Sequence, residues 1–132
     1  TEAYQKTMPE VHTNLVLDIW SDCGVFVATV MRSTKADPEY HLRSTSAQLD
    51  YGKRNPDKFE VIQNVQDSSQ FKAGDIIIYD KGHTVLFVGE GKIKGFNAVD
   101  ASWKDHVPQA QKAYIEKGGT HILRLKGGTI AA

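Results

Sequence analysis

Residues 71–93 read FKAGDIIIYDKGHTVLFVGEGKI, and this stretch decides the fold. It contains two apolar, β-branched runs, IIIY and TVLFV, each bounded by glycine and polar residues, which is typical of short β-strands. The polar residues and the glycine between the two runs predict a tight turn centred on Lys81 and Gly82. The stretch therefore predicts an antiparallel hairpin with His83 at the start of its second strand.

The sequence on both sides of this hairpin indicates the fold class of the whole chain. Three further segments have the character of strands, and they read FEVIQNV, IKGFNAVDASW and THILRLKGG. Helical spacing of apolar residues instead precedes residue 59, with one helix before Ile19, a second beginning near Ser21 and a third from Thr45 to Tyr51 that Gly52 closes. Helices followed by a meander of strands predict an α+β fold, with N-terminal helices packed on an antiparallel sheet of about five strands.

The composition is that of one compact domain. The chain has 132 residues, 40% of them hydrophobic, so we expect residues 1–132 to form a single domain with a real core. Lysine plus arginine and aspartate plus glutamate both number 16, so no net charge draws the chain to nucleic acid or to an acidic membrane. No apolar run approaches the roughly 18 residues of a membrane span, and the opening TEAYQKTMPEV lacks the pattern of a signal peptide. A mature or excised domain is expected.

The single cysteine lies in the stretch WSDCGVFVATVMR, which begins at Trp20. Ser21 or Asp22 is a good N-cap for the helix that follows, so Cys23 is predicted in its first turn. The free N–H groups there favour a thiolate, which is a nucleophile. Cysteine is also among the most buried residue types, so the segment by itself leaves two interpretations, a reactive thiol or a core residue.

A nucleophilic cysteine normally needs a base, and His83 is the candidate because it opens a strand directly after a glycine turn. The other histidines are interpreted as surface or partly buried residues, and they are His12, His41, His106 and His121. If Gly91 and Lys92 form the next turn, His83 lies directly opposite Asp100, within reach of an imidazole to carboxylate hydrogen bond. A bulge at Gly95, or a turn at Glu90 and Gly91 instead, would shift this register and remove the direct pairing.

Three blocks of the sequence resemble NlpC-type cell-wall cysteine peptidases, which are papain-like in fold. DCGVFVATVM resembles their nucleophile helix, FKAGDIIIYDKGHTVLFVGEGKI resembles their strand pair that carries the base, and AVDAS resembles the strand of their third polar residue. The resemblance covers about residues 20–108. Gly24 stands where the family usually has serine, and Asp100 where it often has histidine.

The resemblance implies Cys23 as nucleophile, His83 as base and Asp100 as the residue that orients the base. Candidates for contacts with the substrate are Trp20, Asp22, Gly82 and Ser102. The activity implied is hydrolysis of an amide bond in bacterial peptidoglycan stem peptides through a thioester, without a cofactor and without a metal. The protein would then be secreted, periplasmic or associated with the cell wall.

Two alternatives stay open at this point. The same triad can pass its acyl group to an amine or alcohol, so an acyltransferase or an amidase with another substrate is one of them. The other is a binding module in which Cys23 is a core residue. The partner expected is the peptidoglycan peptide, with an inhibitor or immunity protein as a second candidate.

Overall fold

The computed structural model describes residues 27, 30–32, 34–40, 45–91, 94–101 and 108–126. Its elements in chain order are helix α1 (Thr45–Arg54), strand β1 (Phe59–Ile62), a 3₁₀ helix (Ser68–Gln70), and strands β2 (Ile76–Tyr79), β3 (His83–Phe87), β4 (Ala98–Ala101), β5 (Pro108–Gln111) and β6 (Thr120–Leu125). Val27 and residues 30–32 are helical as well.

The six strands form one sheet in the order β1-β6-β2-β3-β4-β5, with every neighbouring pair antiparallel. The last strand in sequence is therefore inserted between the first two. Leu123 of β6 pairs with Val61 of β1 on one side and with Ile76 of β2 on the other. The centre of the sheet thus depends on contacts between residues far apart in the chain.

Both faces of the central strands are buried. Ile76 and Ile78 of β2 pack on one face, in a cluster that includes Met31. Ile77 and Tyr79 pack on the other face, in a cluster that includes Val65. All four residues of β2 are buried, as expected where successive side chains point to opposite sides of a covered sheet.

The predicted fold class is wrong. The described residues form mostly a six-stranded antiparallel sheet, and not a papain-like NlpC-type fold of helices packed on about five strands. The helices whose full bounds are described are two short ones, α1 and the 3₁₀ helix. The prediction lacked β5, whose sequence PQAQ has neither β-branched residues nor apolar alternation. Pairing with β4 makes it a strand at the edge of the sheet, where a leading proline is tolerated. The helix predicted through Val11, Leu15 and Ile19 lies outside the described residues, and of the helix predicted from about Ser21 the structure describes Val27 and residues 30–32, which are helical.

Gly52 does not close α1, which continues to Arg54. A Cβ atom at Gly52 would overlap with the side chain of Leu123 and lie 3.3 Å from Cγ2 of Val61. Glycine is therefore needed here because the helix backbone approaches the sheet closely, not because the chain leaves the helix. A single glycine is typical both of a helix C-cap and of a close approach between backbones, so the sequence alone does not distinguish them.

The β2–β3 hairpin was predicted correctly, but its turn lies one residue earlier than expected. Tyr79 pairs with His83, and the Gly82 N–H donates to the Tyr79 carbonyl at 2.9 Å, so Asp80 and Lys81 are the central residues of the turn. Gly82 follows with a φ of +109°. This is the three-residue hairpin connection in which a residue with positive φ ends the turn.

The predicted register between β3 and β4 is wrong by two residues. Leu86 pairs with Val99 and Phe87 with Ala98, whereas the expected partner of Phe87 was Phe96. The N–H groups of Val88 and Gly89 both donate to the carbonyl of Asn97, at 2.8 and 3.1 Å. Two residues on one side thus face one on the other, a bulge that the predicted hairpin did not include. A bulge of one residue changes the register by one, so it does not by itself account for the difference of two.

Within the described part of the chain, no helix combines the length and the apolar character that crossing a bilayer requires.

Candidate functional site

His83 and Asp100 form a hydrogen-bonded pair on the sheet. The Nε2 atom of His83 lies 2.5 Å from Oδ2 of Asp100. His83 is the first residue of β3, next to the turn, and its side chain is 23% exposed, whereas that of Asp100 is 4% exposed. A buried carboxylate and a partly accessible imidazole are thus joined at one end of the hairpin.

The pair is diagonal across the two strands. Because Leu86 pairs with Val99, the same register aligns Asp100 with Val85, two residues beyond His83 on β3. A shift of two residues keeps a side chain on the same face, whereas a shift of one would send it to the other face. The predicted contact between His83 and Asp100 is therefore present although the predicted register is wrong by two residues.

The geometry of the pair determines which nitrogen of the imidazole carries the proton. A carboxylate only accepts hydrogen bonds, so with Asp100 ionised the contact assigns the proton of a neutral His83 ring to Nε2. Nδ1 is then the ring nitrogen with an acceptor lone pair. An acid that holds the imidazole in one tautomer and stabilises the imidazolium is the third member of a nucleophile, base and acid set.

Gln111 of β5 makes a second contact with the same carboxylate. Its Nε2 donates to Oδ2 of Asp100 at 2.7 Å. Gln111 pairs with Ala98, so it approaches Asp100 diagonally from the strand on the other side. The remaining oxygen, Oδ1, is buried and accepts no hydrogen bond from the part of the chain that the structure describes.

The ring of His83 belongs to a column of stacked rings. It lies parallel to the Tyr79 ring, with 6.3 Å between centroids and 13° between planes. Tyr79 in turn stacks on Tyr114 at 4.3 Å and 5°. The Tyr79 hydroxyl donates to the Tyr114 carbonyl at 2.7 Å and accepts from the Tyr114 N–H at 3.2 Å. The central tyrosine of the column is thus held at both its ring and its hydroxyl.

Burial raises the pKa of Tyr79 to about 12. The side chain is fully buried, so the cost of removing a phenolate from water exceeds the effect of the hydrogen bond to Tyr114, which lowers the pKa. Tyr79 is therefore neutral throughout the range in which an imidazole titrates, and it contributes a rigid ring without adding charge beside His83.

The ammonium group of Lys81 lies over the Tyr114 ring, at the end of the column farthest from His83. Lys81 Nζ lies 4.8 Å from the centroid of the Tyr114 ring and 2.8 Å from Oε1 of Glu116. The hydrogen bond to Glu116 raises the pKa of Lys81. The central turn of the hairpin is thereby tied to the segment after β5 by a cation–π contact and an ion pair.

A chain of side-chain hydrogen bonds, on the face of the sheet opposite His83, holds the start of β3 in place. Thr84 is fully buried, and its hydroxyl accepts from Gln48 Nε2 at 3.2 Å. Gln48 Oε1 accepts from the Tyr40 hydroxyl at 2.7 Å. These bonds connect α1 to the residue that follows His83, so His83 belongs to a strand that is held from both faces.

A second histidine and aspartate pair shows what a structural pair looks like in this fold. Nε2 of His121 lies 2.8 Å from Oδ1 of Asp80, and Nδ1 of His121 accepts from the Asn64 N–H at 3.2 Å. Both ring nitrogens are thus occupied, and the His121 side chain is only 5% exposed. These contacts join β6 to the hairpin turn at Asp80 and to Asn64, so the pair has a structural role.

The predicted site residues divide into two groups. The structure brings His83 and Asp100 together and places Gly82 in the exposed turn beside them, where its N–H is engaged with Tyr79. The other predicted residues lie outside the described part of the chain, and they are Cys23, Trp20, Asp22 and Ser102.

Gln111, Tyr79 and Tyr114 were missed as parts of the site. Tyr79 could have been found, because a turn that brings strands together at Asp80 and Lys81 places the residue before it beside His83. Gln111 and Tyr114 had no such signal, because Gln111 is the last residue of the unpredicted strand β5 and Tyr114 follows that strand. Among the described residues, no three side chains of the metal-ligating types cluster.

Searches against protein-family models, curated proteins and solved structures found no match to this chain.

Proposed function

We propose that this protein is a cysteine hydrolase that cleaves an amide bond, with Cys23 as nucleophile, His83 as base and Asp100 as the acid that orients the base. The observation that carries the proposal is the contact of 2.5 Å between His83 Nε2 and the buried carboxylate of Asp100. This contact directs Nδ1 to the task of proton transfer. Cys23 is the only thiol of the chain and supplies the nucleophile.

The reaction runs in two steps that each balance. The Cys23 thiol gives its proton to Nδ1 of His83, and the thiolate attacks the amide carbonyl carbon. The imidazolium then returns that proton to the leaving amine as the carbon–nitrogen bond breaks and a thioester forms. Water next attacks the thioester with His83 as base, which releases a carboxylic acid and restores the thiol. The backbone N–H of Cys23 is the proposed donor to the oxyanion.

Peptidoglycan stem peptide is the proposed substrate. The support for it is the order of three motifs along the sequence, DCGVFVATVM, GDIIIYDKGHTVLFVG and AVDAS. A bond between D-glutamate and a diamino acid is the proposed point of cleavage. Such a substrate requires a protein that is secreted, periplasmic or associated with the cell wall.

Digestion of purified peptidoglycan of known chemistry tests the proposal. The protein is incubated with the substrate, and soluble products are identified by mass spectrometry. A product that has gained one water supports hydrolysis, and Cys23→Ala and His83→Ala should each abolish it. A new conjugate with an added amine or alcohol would replace hydrolysis by acyl transfer. Full activity in Cys23→Ala would overturn the mechanism.

The rate of thiol alkylation separates an enzyme from a binding module. An activated thiolate reacts with iodoacetamide quickly at neutral pH, whereas a buried structural cysteine resists it. We expect rapid modification of the folded protein at Cys23 and a clear decrease of the rate in His83→Ala. A slow rate that is equal in both proteins would favour the binding module.

A further inference from the structure

Gln111 of β5 is placed to control the orientation of the Asp100 carboxylate. We propose that Gln111 is a positioning residue, whose side-chain amide holds this carboxylate toward Nε2 of His83. The inference rests on the proposed role of His83 as base. It adds to the triad a fourth side chain, which acts through Asp100 and does not touch the reacting atoms.

Two donors converge on one carboxylate oxygen from the two flanking strands. His83 Nε2 approaches Oδ2 of Asp100 from β3 at 2.5 Å, and Gln111 Nε2 approaches it from β5 at 2.7 Å. The other oxygen has no hydrogen bond with any described residue. The orientation of the buried carboxylate therefore depends on these two bonds. With His83 alone, the group can turn about its last torsion, and the bond to Nε2 lengthens.

An uncharged donor suits this task. An amide donates a hydrogen bond to the carboxylate without neutralising it, so the negative charge of Asp100 stays available to an imidazolium at His83. A lysine or arginine at position 111 would compete with the imidazolium for that charge. Glutamate has the shape of glutamine but, when ionised, has no proton to donate and would repel Asp100.

The side chain of Gln111 can be changed without removing the backbone bonds of β5. The Gln111 carbonyl accepts from the Asn97 N–H at 3.2 Å, a bond that does not involve the side chain. A merely structural role in β5 would thus leave the state of the His83 ring unchanged. The tautomer of that ring is the quantity that distinguishes positioning from packing.

The test uses ¹⁵N NMR of the histidine side chains at neutral pH in the full chain with Cys23→Ala. We expect His83 to be mainly protonated at Nε2, and we expect Gln111→Ala to lower that fraction while Lys112→Ala, an exposed neighbour, leaves it unchanged. Gln111→Glu keeps the volume of the side chain and should lower the fraction at least as much. An unchanged tautomer in both Gln111 variants would overturn the proposal.

Kinetics with Cys23 intact supply the second readout. Loss of one hydrogen bond to a charged group predicts a decrease of kcat by roughly 10- to 100-fold in Gln111→Ala, with KM nearly unchanged. An unchanged kcat in an active enzyme would overturn the proposal. A wild-type protein that cleaves nothing would refute the hydrolase instead, and the NMR result would still decide whether Gln111 positions the pair.

Discussion

His83 and Asp100 are in contact although they are not cross-strand partners, with Nε2 2.5 Å from Oδ2, because the β3–β4 register aligns Asp100 with Val85, two residues beyond His83. The diagonal arrangement leaves room for Gln111 to reach the same oxygen from the other neighbouring strand. The carboxylate thus lies between two strands, and its side chain is only 4% exposed. Burying a carboxylate is costly unless it is paired, and His83 and Gln111 supply the partners of Asp100.

Asp100→Asn should reduce hydrolysis strongly while the fold is retained. The amide can donate to Nε2 or accept from it, so the imidazole loses its fixed tautomer and the imidazolium loses its counter-charge. We expect kcat/KM to decrease by roughly 10² to 10⁴. The matched control is Asp80→Asn, which changes the carboxylate of the other pair, with His121, and should keep activity within about threefold. Equal losses in both variants would contradict the assignment of Asp100.

The stability of the protein should fall steeply above pH 10 because of Tyr79. Its pKa is raised to about 12 in the folded state, whereas in the unfolded chain it is about 10. The unfolded state therefore loses this proton first, and stability that is present below pH 10 is lost as the pH rises towards 12. The contribution is up to about 2 kcal/mol, measurable by urea unfolding between pH 8 and 11.5.

Tyr79→Phe is the variant that isolates this effect. It removes the titrating group and keeps the ring that stacks on His83. Its free energy of unfolding at pH 8 should be lower by about 1 kcal/mol, because two hydrogen bonds to Tyr114 are lost. Its decline above pH 10 should be shallower than that of the wild type, and parallel curves would show that Tyr79 does not cause the loss.

Gly52→Val should destabilise the protein through the contact between α1 and the sheet. The new side chain would overlap with Leu123, which is fully buried, and overpacking of this kind costs about 1 to 3 kcal/mol. Lys53→Val places the same residue at the next, exposed position of the helix and should cost less than about 1 kcal/mol. Thermal unfolding followed by circular dichroism measures both, and a Gly52→Val as stable as the control would refute the close approach.

Arg124→Met should destabilise the protein by leaving the carboxylate of Asp75 buried without its cation. Arg124 binds both oxygens of Asp75 at 2.9 Å, and this contact raises the pKa of the guanidinium. Breaking a buried pair by removing one partner costs about 3 kcal/mol. The control Arg54→Met breaks the exposed pair with Asp50 and should cost below about 1 kcal/mol. Chemical denaturation gives both values, and equal values would contradict a structural role for Asp75.

The local pattern of the sequence determined where the strands lie and which residues share a face. Apolar runs bounded by glycine predicted strands that contain β1, β2, β3, β4 and β6, because period-two alternation and turn residues are properties of neighbouring residues. The same alternation placed His83 and Asp100 on one face. Their contact was therefore predictable, since an error of two residues in the register does not change the face.

Only the tertiary structure decided the order of the strands, the exact register and which residues surround His83 and Asp100. β6 is inserted between β1 and β2 because its apolar side chains are buried against strands that are distant in the sequence. Local sequence patterns do not predict such contacts. The β3–β4 register differs by two residues from the predicted one and includes a bulge at Val88 and Gly89. β5 became a strand because an adjacent edge was available for pairing. Gln111 reaches Asp100 and Gly52 adjoins Leu123 because the chain is folded, and contacts between distant residues exist only in that packed state.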